Sequence, residues 1–135
     1  MDCLFCAIIA GDVPSRQIYA DEHAIAFLDI APLHWGHTLV VPRQHVTDIL
    51  AEGTTLSDIA PAVHNVSRLL VDRLEAGGVN VLINNGALAG QEVFHLHVHL
   101  VPRYPEFPGM RALFQPDPEA GAELDALHAI LTGEA

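Results

Sequence analysis

The chain has 135 residues, half of them hydrophobic, a length that predicts one domain with a single core. No apolar run reaches the roughly 18 residues of a membrane-spanning helix, and the N-terminus lacks the pattern of a secretory signal, so we expect a cytoplasmic protein without a membrane partner. Seventeen acidic and six basic residues give a formal charge of −11 with no basic stripe, which argues against nucleic-acid binding.

The first half of the chain contains several short elements separated by turn-forming residues. A short helix is predicted first, and strands follow at apolar, β-branched runs that end near Gly, Asp or Pro. One helical turn is predicted after the third strand. These predicted elements, in chain order, are a helix at 3–9, strands at 18–20, 24–29 and 37–42, and a helical turn at 47–50.

The second half begins with a long helix, predicted over 56–76 from apolar residues at helical spacing, with Ser57 as its N-cap. Strands follow at 80–84 and 93–102, and a terminal helix is expected at 119–131. Because strands precede and follow one long helix, the order predicts an α+β domain with a mainly antiparallel sheet.

The most informative pattern is an alternation of histidines with apolar residues on the last predicted strand. Side chains alternate between the faces of a strand, so every second residue lies on the same face. One face then carries His95, His97 and His99, and the other carries Leu96, Val98 and Leu100. A polar strand face that is histidine by chance and a metal-binding stripe are the two alternatives to a catalytic interpretation.

Neutral imidazole is a competent nucleophile near pH 7 because its ordinary pKa is about 6.5. Attack on phosphorus would form a phosphohistidine-type intermediate and divide one difficult displacement into two easier steps. The upstream loop at 84–91, which contains glycine and amide side chains, could bring hydrogen-bond donors to a phosphate.

The segment His-Leu-His-Val-His-Leu-Val at 95–101 resembles the signature of the histidine-triad (HIT) superfamily, in which three histidines alternate with apolar residues. Other blocks resemble the family in order and spacing, at 27–30, 36–42, 84–86 and 89–91. The resemblance covers about residues 3–103 of a single domain spanning 1–135. Residues 104–135 would be a variable C-terminal extension.

The resemblance implies a role for each matching residue. His97 would be the nucleophile, His99 would contact the phosphate and assist the leaving group, and His37 would support the nucleophile in a proton relay. Asp29 would bind ribose hydroxyls. The nucleobase pocket would comprise Leu4, Phe5, Ile8, Phe27 and Ile30, although core packing is an equal alternative for Leu4 and Phe5. The phosphate contacts would come from Asn84, Gln91 and the backbone of Val93.

One position departs from the family pattern. The residue after Gln91 is usually Ser or Thr and bonds near the phosphate, whereas this chain has Glu92. A carboxylate there would repel an anionic substrate unless it points away or takes part in leaving-group chemistry. The rate and the choice of substrate therefore depend on where Glu92 points.

Cys3 and Cys6 alone are a weak metal signal, because structural zinc sites need four ligands. His45 and His95 are the additional candidates. The four positions resemble an arrangement in some bacterial HIT proteins and in the related galactose-1-phosphate uridylyltransferases. We therefore expect a structural zinc and no catalytic metal; the alternative is two reduced surface thiols.

The resemblance implies a hydrolase that cleaves nucleoside phosphoramidates or related conjugates, such as dinucleoside polyphosphates, through a nucleotidyl-His97 intermediate. Its ligand would be a purine nucleotide, and its assembly a two-fold homodimer formed through the long helix and a strand. Two alternatives stay open. One is a nucleotide-binding scaffold or sensor with vestigial turnover, and the other is a nucleotidyl transferase or phosphorylase.

Overall fold

A computed structural model of the chain describes residues 2–109 and 114–134. Among these residues no helix is both long and apolar enough to cross a bilayer. In chain order the elements are α1 (Leu4–Ala10), β1 (Gln17–Ala20), β2 (Ala24–Leu28), β3 (Thr38–Pro42), α2 (Thr55–Leu74), β4 (Gly78–Leu82), β5 (Val98–Arg103), α3 (Pro118–Gly121) and α4 (Leu124–Thr132).

The strands form one five-stranded sheet in the order β1-β2-β3-β5-β4, and every neighbouring pair is antiparallel. This arrangement confirms the predicted α+β class. β5 is central to the site because β3 and β4 flank it, so that His99 lies opposite Leu39 on one side and Leu82 on the other.

The two faces of the sheet pack against different helices, as the period-two alternation of strand side chains requires. The α2 face is the main core, where the apolar stripe of α2 meets alternate residues of β2, β3 and β5. Its buried residues include Ile59, Val66 and Leu70 of the helix and Val40, Val98 and Leu100 of the strands. The α1 face is a smaller cluster of Phe5, Ile25, Phe27, Leu39 and Val41.

The last strand begins at Val98, not at residue 93 as predicted. The backbone N–H of Leu96 donates to the carbonyl of Val46 at 2.7 Å, so the chain before Val98 bonds to a loop instead of the β3 ladder. The alternation of faces nevertheless holds: Leu96 packs in the α2-face core, while the rings of His95 and His97 contact Phe5 of the α1 face.

The predictions of two other elements were also wrong in detail. Residues 47–50 form turns and not a helix, because Asn85 Oδ1 accepts the N–H of Ile49 and Asp48 Oδ1 accepts that of Leu50. The terminal helix is divided into α3 and α4, and the break follows Gly121, a residue of low helix propensity.

The start of the long helix also differs from the prediction. The N-cap position is Thr54 instead of Ser57, and the Thr54 hydroxyl bonds to the carboxylate of Asp58 at 3.2 Å instead of capping a backbone N–H. The helix itself is as expected, since it spans Thr55–Leu74 against a predicted 56–76.

Gly36 lies in the turn that leads into β3. Its φ is +92°, and a Cβ built on it would lie 2.5 Å from Leu74 Cδ1 and 3.1 Å from Pro102 Cγ. The positive φ favours glycine, and a Cβ in this turn would in addition force the Leu74 side chain and Pro102 to shift.

We predict that Gly36→Ala lowers the free energy of unfolding by roughly 2–4 kcal/mol, since positive-φ strain and overpacking both contribute. Gly53→Ala is the matched control because Gly53 also has a positive φ, +118°, but a Cβ added there would meet no atom within 4 Å. Urea unfolding of both variants measures the difference. Equal decreases in the free energy of unfolding of the two variants would show that packing at Gly36 contributes nothing.

Candidate functional site

The candidate site lies on the α1 face of the sheet, where β3 and β5 are adjacent. His37 immediately precedes β3 and His99 lies on β5, so strand pairing brings two residues 62 positions apart into contact. His97 directly precedes β5, and its ring centroid is 4.9 Å from that of His99. Three of the histidines singled out by the sequence are therefore neighbours.

The proton on His97 is placed by its hydrogen bond. His97 Nδ1 is 2.8 Å from the carbonyl oxygen of His95, and a carbonyl can only accept. We therefore assign the proton to Nδ1, which leaves the lone pair of Nε2 available for attack. The ring is 8% exposed and packs edge-on against Phe5, with 5.1 Å between ring centroids, so its orientation is restrained.

A second hydrogen-bond chain orients His99. The backbone N–H of Leu33 donates to His37 Nδ1 at 3.0 Å, so His37 carries its proton on Nε2. That proton is donated to His99 Nδ1, also at 3.0 Å. His99 is then protonated on Nε2, and this N–H is a hydrogen-bond donor that the described contacts leave available for a substrate.

Burial keeps this relay uncharged at neutral pH. Burial, followed by the positive charges that His97 and His37 would carry, lowers the pKa of His99 to about 4. Burial also lowers the pKa of His37, while Asp29 partly opposes the effect. Both rings are therefore neutral at pH 7, where their tautomers are set by hydrogen bonds.

Asp29 is tied to the same turn as His37. Its Oδ1 accepts the N–H of Ala31 at 2.9 Å, and its Oδ2 lies 3.6 Å from His37 Nε2. Because His37 is neutral at pH 7 and 3.6 Å is too long for a hydrogen bond, this contact is not an ion pair at that pH. It would become one only if His37 gained a proton.

A second cluster adjoins the first through His95. The sulfurs of Cys3 and Cys6 and the Nδ1 atoms of His45 and His95 all lie within 4.8 Å of one another. The separations are 3.4 Å for Cys3–His95, 3.3 Å for Cys6–His45, 3.5 Å for Cys6–His95 and 3.1 Å for His45–His95. The structure thus brings together all four predicted metal ligands.

The donor set fits a zinc ion. Zn–S bonds of about 2.3 Å and Zn–N bonds of about 2.0–2.1 Å, arranged tetrahedrally, place ligand atoms roughly 3.3–3.8 Å apart. His95 is fully buried, and its Nε2 donates to the carbonyl of Pro42 at 2.9 Å, so the lone pair of Nδ1 faces the sulfurs. Burial and the neighbouring Cys3 raise the pKa of the Cys6 thiol, an effect that a bound cation would oppose.

Comparison with known proteins assigns the chain to a family. The HIT domain model matches residues 10–106. The chain belongs to the HIT family. The "Protein hit" of Bacillus subtilis (strain 168) is 44% identical over 115 residues, covering 84% of this chain and 79% of that protein. The protein named "Adenylylsulfatase HINT3" of Arabidopsis thaliana is 39% identical over 105 residues, covering 76% of this chain and 52% of the plant protein.

Solved structures of HIT proteins agree with the fold. A HIT family member from Bacillus subtilis superposes with a TM-score of 0.88 at 37% identity, covering 100% of this chain and 98% of that one. A zinc-bound histidine triad family protein from Mycobacterium smegmatis gives a TM-score of 0.75 at 39% identity, covering 100% and 99%.

The residues predicted for the HIT nucleobase pocket occupy two environments. Phe5 and Phe27 are each 4% exposed and belong to the core beneath the histidines, so packing is their main role. Leu4 and Ile30 are 48% and 86% exposed, and Ile8 is intermediate. Of the predicted pocket, the aliphatic side chains offer more surface to a ligand than the aromatic ones do.

The side chain of Gln91 holds the loop at 84–91 in place through hydrogen bonds to backbone groups. Its Oε1 accepts the N–H of Gly86 at 2.8 Å, and its Nε2 donates to the carbonyls of Thr47 at 2.6 Å and Val93 at 3.1 Å. Gln91 is 4% exposed. These bonds favour a positioning role for its side chain over the direct phosphate contact expected from the resemblance.

Glu92 is exposed and lines a surface pocket of about 430 Å³ together with Asp2, His45 and the half-buried Val93. Asn84 lies just after β4 and is also half-buried, next to Gly90. The Glu92 carboxylate therefore faces solvent beside the Cys/His cluster, and no described contact joins it to His97.

Sequence reasoning missed three backbone groups that orient the histidines of the candidate site. They are the carbonyls of Pro42 and His95 and the N–H of Leu33, which together set the tautomers of three imidazoles. Every residue has these groups, so residue types alone carry no signal for them. Only the positions of Pro42 and Gly36 beside the predicted strand indicated where the chain turns.

We predict that His99 stays neutral well below the usual range for histidine. Nitrogen-detected NMR between pH 3.5 and 8 should show its Nε2–H tautomer with a midpoint near 4, and His99→Gln would assign the resonance. The unfolded side chain titrates near 6.5. Between these values the unfolded state binds more protons, so stability is full above 6.5 and falls as the pH drops toward 4. A midpoint near 6.5 would contradict the neutral relay.

Proposed function

We propose that this HIT protein hydrolyses nucleoside phosphoramidates or related nucleotide conjugates through a nucleotidyl-His97 intermediate. The observation that carries the proposal is the 2.8 Å hydrogen bond from His97 Nδ1 to the carbonyl of His95, because it presents the Nε2 lone pair for attack. The name of the plant relative, an adenylylsulfatase, supports a nucleotide conjugate as the class of substrate.

In the first step Nε2 of His97 attacks the α-phosphorus and the bond from phosphorus to the leaving group breaks. An amine leaving group departs with one proton taken from solvent. The His97 ring becomes positively charged, and its hydrogen bond to the His95 carbonyl becomes charge-assisted and therefore stronger. This strengthening stabilises the intermediate relative to the free enzyme, since the acceptor is already in place.

His99 acts as a hydrogen-bond donor in this scheme. Its pKa of about 4 keeps it neutral at pH 7, so its Nε2–H donates to a phosphoryl oxygen. Delivery of a whole proton to the leaving group would require the imidazolium form, which is scarce at that pH. His37 holds the His99 tautomer, and Asp29 remains the candidate for ribose hydroxyls.

In the second step water attacks the phosphorus, the bond to His97 breaks, and a nucleoside monophosphate leaves. One proton returns to solvent and His97 regains its neutral form. Each step is an in-line displacement at phosphorus by a group held beside it, so positioning supplies a large part of the acceleration.

We propose in addition that Cys3, Cys6, His45 and His95 hold a structural zinc. When bound, the ion would cross-link the N-terminal segment to the chain that precedes β5. Four protein ligands fill a tetrahedral shell, which leaves no position for substrate, so the reaction steps involve only the histidines. The zinc-bound Mycobacterium smegmatis structure supports this assignment.

The test of the mechanism is intact-protein mass spectrometry after rapid quenching with adenosine phosphoramidate. We expect a mass gain of one adenylyl group, and His97→Ala should lose the adduct and at least about 10³-fold in turnover while it still binds AMP. His64→Ala is the matched control, because His64 is exposed on α2. AMP binding without adduct or turnover in the wild type would favour the scaffold or sensor.

The same reaction run with inorganic phosphate tests for transferase or phosphorylase activity. Hydrolysis releases AMP whether or not phosphate is present, whereas phosphorolysis would release ADP. We expect AMP alone. Adenylyl sulfate in place of the phosphoramidate extends the comparison to an oxygen-linked leaving group.

The zinc proposal predicts about one zinc per chain by elemental analysis of protein purified without chelator. Cys6→Ser should lose most of the metal and melt at a lower temperature, because a structural site contributes folding free energy. Glu92→Gln is the matched control, since it lies beside the cluster without contributing a ligand in this assignment. Metal-free wild-type protein of unchanged stability would exclude a structural role.

A further inference from the structure

The chain that follows β5 folds into a tight turn, which we call the 104–107 turn. The N–H of Tyr104 donates to the carbonyl of Phe107 at 3.1 Å, and the N–H of Phe107 donates back to the carbonyl of Tyr104 at 2.9 Å. Arg103, the last residue of β5, has its guanidinium 4.6 Å from the centroid of the Phe107 ring, and its Nε donates to Asn80 Oδ1 of β4 at 2.7 Å. The turn is therefore anchored to β4 and β5.

The 104–107 turn contacts the loop at 32–36, which leads into β3. The imidazole of His34 stacks on the Phe107 ring, with 4.2 Å between centroids and 11° between the ring planes. The Tyr104 hydroxyl donates to the carbonyl of Trp35 at 2.8 Å. Nδ1 of His34 is buried and has no hydrogen-bond partner in the part of the chain that the structure describes, so the aromatic contact helps to restrain this ring.

The backbone of the same loop holds His37 in its tautomer. The N–H of Leu33 donates to His37 Nδ1 at 3.0 Å, and the N–H of His37 donates to the carbonyl of His34 at 3.1 Å. His37 Nε2 then donates to His99 Nδ1. A continuous set of contacts thus runs from the Phe107 ring through the loop backbone to His99.

The loop at 32–36 has few buried side chains of its own. Leu33 and Trp35 are 57% and 70% exposed, and Pro32 is exposed as well. A segment with little buried apolar surface opens at a low cost in free energy. The position of the Leu33 N–H therefore depends on restraints from outside the loop, and the contacts at His34 and Trp35 are such restraints.

We propose that the rings of Phe107 and Tyr104 are positioning groups for the relay. They keep the loop at 32–36 closed, so that the Leu33 N–H stays on His37 Nδ1. Without that donor the proton of neutral His37 is free to occupy Nδ1, and Nε2 becomes an acceptor. His99 would then donate from Nδ1 and lose the Nε2–H assigned to a phosphoryl oxygen. The effect on rate rests on the proposed function, whereas the effect on the tautomers does not.

The test is the imidazole ¹⁵N spectrum of the full-length protein at pH 7, recorded without substrate. Protonated and unprotonated ring nitrogens have well-separated ¹⁵N shifts, and His99→Gln assigns the His99 signals. We expect the Nε2–H form of His99 in the wild type and a shift toward the Nδ1–H form in Phe107→Ala. Phe107→Tyr, which keeps the aromatic ring, should retain the wild-type tautomer. A folded Phe107→Ala protein with wild-type tautomers would overturn the proposal.

Further variants make the test specific. Phe114→Ala is the matched control, because Phe114 is 66% exposed and lies outside the turn. A shift of equal size in Phe114→Ala or Phe107→Tyr would contradict a specific role for the stacked ring. Tyr104→Phe removes one hydrogen bond and keeps the ring, so a partial shift is expected. If Phe107→Ala does not fold, Phe107→Leu and Tyr104→Phe decide, and wild-type tautomers in both would refute the positioning role.

Turnover of adenosine phosphoramidate gives a second readout. In Phe107→Ala kcat should fall roughly 10-fold and KM should change much less, because loss of an entire oxyanion donor costs about 10²–10³-fold in kcat. Shifted tautomers with an unchanged kcat would sever the relay from the rate. A wild-type protein without turnover would count against the proposed function, while the tautomers would still decide the role of Phe107.

Discussion

Hydrogen bonds between imidazole rings and backbone groups determine what the histidines of this site can do. The carbonyl of Pro42 accepts a hydrogen bond from His95 Nε2–H, and the carbonyl of His95 accepts one from His97 Nδ1–H. Neutral histidine has one donor and one acceptor nitrogen, so each bond also fixes where the remaining lone pair points. The Nδ1 lone pair of His95 therefore faces the cysteines, and the Nε2 lone pair of His97 is left available for the proposed attack on phosphorus.

These assignments hold only while the rings are neutral, and burial keeps His37, His95 and His99 neutral by lowering the pKa of each. A protonated imidazole has two donors and no lone pair. Protonation of His99 would therefore remove the lone pair that accepts the hydrogen bond from His37, and protonation of His95 would remove one of the proposed zinc ligands. The desolvation that keeps these rings neutral at pH 7 consequently makes the folded state sensitive to acid.

Much of this arrangement was predictable from the sequence, because it follows from periodicity. The alternation at 95–100 correctly placed three histidines on one side of the chain and three aliphatic residues in the core, and the helical spacing identified α2. The four residues proposed as zinc ligands were also predicted, from residue type and resemblance, and the structure brings them together.

The rest depends on tertiary contacts that leave no trace in local sequence. The strand starts at Val98 because the N–H of Leu96 donates to the carbonyl of Val46 in a distant loop. The side-chain amide of Gln91 is already hydrogen-bonded to three backbone groups that only the fold of the chain brings to it. The exposed apolar side chains of α4 are another example. Their helical spacing predicts a helix but does not reveal that the chain's own core leaves them exposed.

His95 connects the two halves of the site through one residue. Its ring belongs to the Cys/His cluster, while its carbonyl oxygen is the acceptor that orients His97. A displacement of the ring would move the peptide group and hence the acceptor, and orientation errors of about 1 Å cost catalytic sites large factors in rate. In the proposed mechanism the cluster would therefore hold His97 in position without entering the reaction, which gives a physical reason for the proposed structural zinc to lie beside histidines that react without it.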